Sequence, residues 1–110
     1  GGVLAQSRWR VALIASSSWS HAFLTRKNDW IYPDHASDRA CLEELREGRL
    51  ACWRDLTREQ IENAGQHELL NWVTLAGAMA ELGQKVEIID FVETYVMNSN
   101  KCFASFAADR

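Results

Sequence analysis

Two side chains in this sequence are of a type and in a position to do chemistry: His21 in the segment SSSWSHAFL and Glu68 in the segment GQHELLNW. Histidine exchanges protons near neutral pH, so an imidazole in a loop beyond a strand could take a proton from a bound substrate and later return one. The plainer alternative is a partly buried imidazole bonded to the neighbouring serines. Glu68 falls at the start of a long helix, where backbone amides and the helix dipole favour an ionised carboxylate, the form a divalent cation requires. Acidic residues also gather there for the dipole alone, and residue type leaves both readings open.

The string His67, Glu68, Leu69, Leu70, Asn71 approaches the zinc-protease pattern HExxH but fails it, because Asn71 stands where the second imidazole is needed. Adjacent helical side chains diverge by ~100°, so His67 and Glu68 do not readily chelate one ion together. His67 therefore reads as an end-of-helix residue or one supporting a ligand, and His35 as a surface residue. The run Ser16, Ser17, Ser18 near His21 suggests a serine hydrolase, yet no GxSxG turn projects a nucleophile. Trp53 and Trp72 sit among apolar residues at helical spacing and read as core rather than as stacking platforms.

Several elements must position these groups. Trp9 to Ala15, reading WRVALIA, predicts a short strand buried on both faces, with the serines and His21 at its carboxyl end, where open α/β sheets place ligands. Asn28 to Asp34, with Pro33, predicts an irregular surface segment. A helix is expected from Ser37, as cap, to Glu47, ended by Gly48. Thr57 and Gln60 form a possible capping box for a short helix ending near Gly65. The clearest helix spans Gln66 to Leu82 before Gly83. Val86 to Phe91 and Cys102 to Phe106 read as strands joined by Asn98, Ser99, Asn100 and Lys101. The expected class is α/β, a mixed sheet flanked by helices.

At 110 residues, 47% hydrophobic and 25% charged, the chain has the composition of one ordinary globular domain. A net charge of -3 with basic residues scattered along the chain argues against nucleic acid as a partner. Cys41, Cys52 and Cys102 are odd in number and lack CxxC spacing, which suits neither a disulfide framework nor a zinc ribbon and fits reduced thiols in a cytoplasmic setting. The longest apolar stretch, Leu69 to Met79, is broken by Asn71 and falls short of the ~20 residues that span a bilayer. No basic region followed by an apolar core marks an export signal at the amino terminus.

Three ordered stretches carry a resemblance. VALIASSSWSHAFL, GQHELLNW with the apolar helix after it, and FVETYVMNSNKCFASF together resemble the carboxy-terminal portion of the catalytic subunit of class III extradiol ring-cleavage dioxygenases, in the subfamily that opens protocatechuate and gallate. The similarity covers most of the chain apart from its ends and its middle. It implies that His21 is the acid–base histidine, that Glu68 is the carboxylate ligand of a non-haem Fe(II), and that the two face each other across one cleft. The metal in such enzymes is held by two histidines and one carboxylate, which leaves positions for a catechol-type aromatic acid and O2. By position, Ser99 and Asn100 could touch the substrate's carboxylate, although a strand-connecting turn is the plainer reading. The family's two ligand histidines lie in an amino-terminal half that nothing here matches. The chain is thus expected to be a single partial domain, inactive alone, that works with the missing half and with a small partner subunit or a second copy. Rival readings are a non-catalytic partner-binding remnant of the same fold, and a zinc or hydrolase protein using His21, His67 and Glu68.

Overall fold

The computed structural model describes residues 6–107. A 3-10 turn, Ala22–Leu24, is followed by helices α1 (His35–Arg46), α2 (Ala51–Arg54), α3 (Arg58–Ala64) and α4 (Leu69–Glu81), then strands β1 (Lys85–Val92) and β2 (Lys101–Ala107). The two strands pair antiparallel, giving a small α/β domain with a two-stranded sheet.

Local chemistry explains most boundaries. Helix α1 begins earlier than Ser37 because Asp34 is its cap: one carboxylate oxygen accepts the Ser37 amide at 3.1 Å and the other the Ser37 hydroxyl at 2.7 Å. An acceptor just before the first turn satisfies amides that have no partner within the helix. Gly48, at φ 74, follows its end, as expected. The capping box on α3 forms as expected, with the Gln60 amide on Thr57 Oγ1 at 3.1 Å and the Thr57 amide on Gln60 Oε1 at 2.9 Å. Helix α4 starts only at Leu69, since residues 66–68 form a turn after Gly65.

Trp19 lies at the centre of the core, fully buried, with Trp53 and Trp72 edge-on at 5.6 Å and Phe91 at 5.3 Å. The indole N–H groups of Trp53 and Trp72 donate to the carbonyls of Cys41 and Ser17, so both rings are buried as expected without stranding a polar atom. A bulge between Ile88 and Asp90 adds one residue to β1. It switches the inward positions from Val86 and Ile88 to Phe91, which brings Phe91 onto Trp19.

The expected first strand is not formed. Residues 10–15 are assigned to neither helix nor strand, and Trp9, Val11, Leu13 and Ile14 are exposed. A strand exists only against a partner, and β1 and β2 pair with each other alone among the described residues. The sheet is accordingly antiparallel rather than mixed. The Trp9–Ala15 run instead walls an open apolar cavity of about 760 Å³ with Trp72 and Met79 of α4 and Phe103 of β2. Among the described residues no helix is long and apolar enough to cross a membrane.

Candidate acid–base site

Residues 19–21 run beside residues 98–100, with His21 extended just before the 3-10 turn. The Trp19 amide donates to the Asn100 carbonyl at 3.1 Å, the Asn100 amide to Ser20 O at 3.3 Å, and the Ala22 amide to Asn98 O at 2.6 Å. This bridge sets Ser99 opposite His21. On the other side the His21 amide donates to Gly65 O at 3.0 Å, so the chain turn before α4 holds the histidine backbone as well.

The His21 ring is held at both nitrogens. Nδ1 lies 2.8 Å from the Trp19 carbonyl, which only accepts, so Nδ1 carries the hydrogen of that bond. Nε2 is left to face Glu68 Oε2 at 3.1 Å. The histidine side chain is buried (10% exposed) while that of Glu68 is half-exposed (51%), so solvent reaches the pair from the carboxylate side. Phe23 meets the imidazole edge-on at 5.3 Å. Glu68 occupies the cap position of α4 and makes no side-chain bond to the helix amides, while its carbonyl accepts from Ser17 Oγ at 2.8 Å. Its carboxylate is therefore free of the helix end and turned to the histidine. Chemically, Nε2 can accept or release a proton, and Glu68 can stabilise the resulting imidazolium or bind a cation.

The other sequence candidates divide. Ser99 is at the site through its backbone, and its hydroxyl accepts from Lys101 Nζ at 3.1 Å. Asn100 points away from it and is fully buried: Nδ2 donates to Asp38 Oδ2 at 2.8 Å and to His35 Nδ1 at 3.0 Å, and Oδ1 accepts the Thr94 amide at 3.0 Å. Its side chain therefore meets protein rather than ligand, and Asn98–Asn100 do more than connect strands. His67 is exposed. Contrary to expectation His35 is buried, stacked on Tyr32 at 5.5 Å and tilted against Tyr95 at 4.4 Å. A histidine at the start of a helix after proline looks exposed in sequence; its cover combines the nearby Tyr32 with Tyr95 from far along the chain.

No group of three His, Cys, Asp or Glu side chains among the described residues converges to hold a metal. Fe(II) needs more donors than Glu68 and one imidazole offer, so these residues alone do not complete an iron site. Nor are Cys41 and Cys102 available as thiolate nucleophiles, since burial pushes both thiols up to about 12.

Asp38 is a buried carboxylate that the sequence did not single out. It is fully buried, and burial raises its carboxyl to about 6 against the downward pull of hydrogen bonds from Gln66, Asn100 and the Ser20 amide. Its spacing from Cys41, Leu42 and Leu45 was the available signal, because those positions share one helical face. The raised value has a defined sign. Its stabilising contribution is complete below the ordinary value near 3.8 and is lost as pH rises through about 6. Urea unfolding from about pH 4 to about pH 7 should show wild-type stability declining relative to Asp38→Asn; parallel curves would contradict it.

Gly65 makes the close approach to His21 possible. Its φ is 64, and a Cβ there would lie 2.8 Å from the His21 carbonyl oxygen. Gly65→Ala combines left-handed strain of about 1–2 kcal/mol with that backbone clash. Stability should fall by at least about 2 kcal/mol in urea unfolding, and an unchanged midpoint would contradict this packing.

The chain matches no family model, no curated protein and no solved structure.

Proposed function

We propose that this chain carries the acid–base histidine and the metal-binding carboxylate of an Fe(II)-dependent extradiol dioxygenase acting on a catechol-type aromatic acid of the protocatechuate or gallate class. On this reading the domain is the carboxy-terminal part of that family's catalytic-subunit fold. The observation that carries it is the 3.1 Å approach of His21 Nε2 to Glu68 Oε2, the two residues to which the sequence resemblance assigns the acid–base and metal-binding roles. His21 takes a hydroxyl proton at Nε2, while its Nδ1–H on the Trp19 carbonyl fixes the ring and spreads the charge of the imidazolium. Glu68, half-exposed, presents its carboxylate from the solvent side. Bound Fe(II) would supply open coordination positions for substrate and O2. The two further ligands, both histidines, come from outside the described residues.

A second reading, a non-catalytic module that binds a partner, is favoured by the exposed apolar run Trp9–Ile14 and the open cavity behind it. Anaerobic Fe(II) titration separates the two. Protein expressed with the reading frame upstream of Gly1 should bind one iron tightly and lose it in Glu68→Ala, whereas the 110-residue chain should bind only weakly. Equal, tight binding by the extended Glu68→Ala variant would overturn the assignment.

A further inference from the structure

The three segments that bear His21, Glu68 and Ser99 are far apart in sequence, yet each sends a donor to one buried carboxylate. Asp38 Oδ1 accepts from Gln66 Nε2 at 2.7 Å and Oδ2 from Asn100 Nδ2 at 2.8 Å, while the Ser20 amide is shared between them at 3.2 and 3.1 Å. Ser20 precedes His21, Gln66 lies just before Glu68 in the same turn, and Asn100 follows Ser99. We infer that Asp38 is a positioning residue for the His21–Glu68 pair, holding the three site-bearing segments at fixed separation from the rigid face of α1.

Only a carboxylate can do this. Every partner is a donor, and an ionised carboxyl is the one side-chain group with two oxygens that both accept. An asparagine amide would turn N–H groups towards at least one of these donors, although its shape is the same. The struts also have few substitutes: Gln66 Nε2 has otherwise only a weak contact to Cys41 Sγ at 3.7 Å, and the Ser20 amide has no other acceptor among the bonds described. Ser20 is braced further by its hydroxyl, which donates to Ala64 O at 2.5 Å and accepts from the Asp34 amide at 2.8 Å. The backbone beside His21 is thus fixed from α1 and from the end of α3 together. A group held on a helix and fully buried positions its neighbours more closely than a loop contact can.

The inference rests on His21 and Glu68 being the working pair, but its test needs neither iron nor substrate. Long-range ¹H–¹⁵N spectra of the 110-residue chain report the two His21 ring nitrogens. The shift produced at Nε2 by Glu68→Gln measures how closely the carboxylate is held to the ring. It should be large in wild type and fall by half or more in Asp38→Asn and in Gln66→Leu, which removes one strut and keeps the charge. Leu45→Ala, a cavity in the same helix away from the struts, should lower the melting temperature and leave the shift unchanged. Should Asp38→Asn fail to fold, Gln66→Leu gives the answer alone. A wild-type shift in folded Gln66→Leu, or an equal loss of the shift in Leu45→Ala, would overturn the role. Either result would leave the ring-opening proposal standing, since that is read by oxygen uptake.

Discussion

On the proposed dioxygenase reading, replacing His21 by alanine in the iron-loaded protein is expected to leave the metal bound and to slow turnover by about 10²- to 10⁴-fold, the usual loss when a positioned acid–base group is removed. The imidazole is buried beside the half-exposed Glu68, and its Nδ1 is tied to the Trp19 carbonyl, so proton exchange runs through Nε2. Alanine removes that route without touching the carboxylate. Glu68→Ala is expected to have the converse result: iron is lost, and turnover with it, because the carboxylate that the proposal assigns to the metal is gone. Iron stoichiometry and kcat measured on both variants check the division of roles. Equal iron loss in the two would show the roles wrongly divided.

Trp19→Ala should produce the largest loss of stability, about 3–5 kcal/mol, the range for deleting a large aromatic from a core. The ring is fully buried and touches Trp53, Trp72 and Phe91, thereby joining α2, α4 and β1. A domain of this size has about 5–15 kcal/mol in total, so the variant would be close to unfolding at room temperature. It would also disturb the site, because the Trp19 carbonyl holds His21 Nδ1. Urea unfolding checks the value, and a loss below about 1 kcal/mol would contradict the central place of this ring.

What could be read from sequence was local. The Thr57–Gln60 capping box, the glycines that follow helices, and the two strands are specified by residues close to one another, so the chain shows them directly. The Trp9–Ala15 run shows the limit of that approach: its apolar, β-branched character marks a buried strand, yet pairing is decided by partners elsewhere, and among the described residues it has none. The cap of α1 is Asp34 rather than Ser37, because its carboxylate accepts the Ser37 amide and the helix can then start at His35. At the site, the meeting of His21 and Glu68 was expected from resemblance and is seen at 3.1 Å. The network beneath it was not legible. Asp38, His35 and Asn100 are polar residues whose burial depends on one another, and nothing in the neighbouring sequence of any one of them announces the other two.

The central claim is that His21 and Glu68 belong to a site that opens catechol rings with Fe(II) and O2, and oxygen uptake tests it most directly. Protein carrying this chain together with its upstream reading frame, loaded anaerobically with one Fe(II), should consume oxygen when protocatechuate or gallate is added and none when the acid is omitted. The 110-residue chain alone should consume none under the same conditions. Iron-loaded extended protein that takes up no oxygen with either acid, or consumption by the 110-residue chain with stoichiometric iron, would contradict the account.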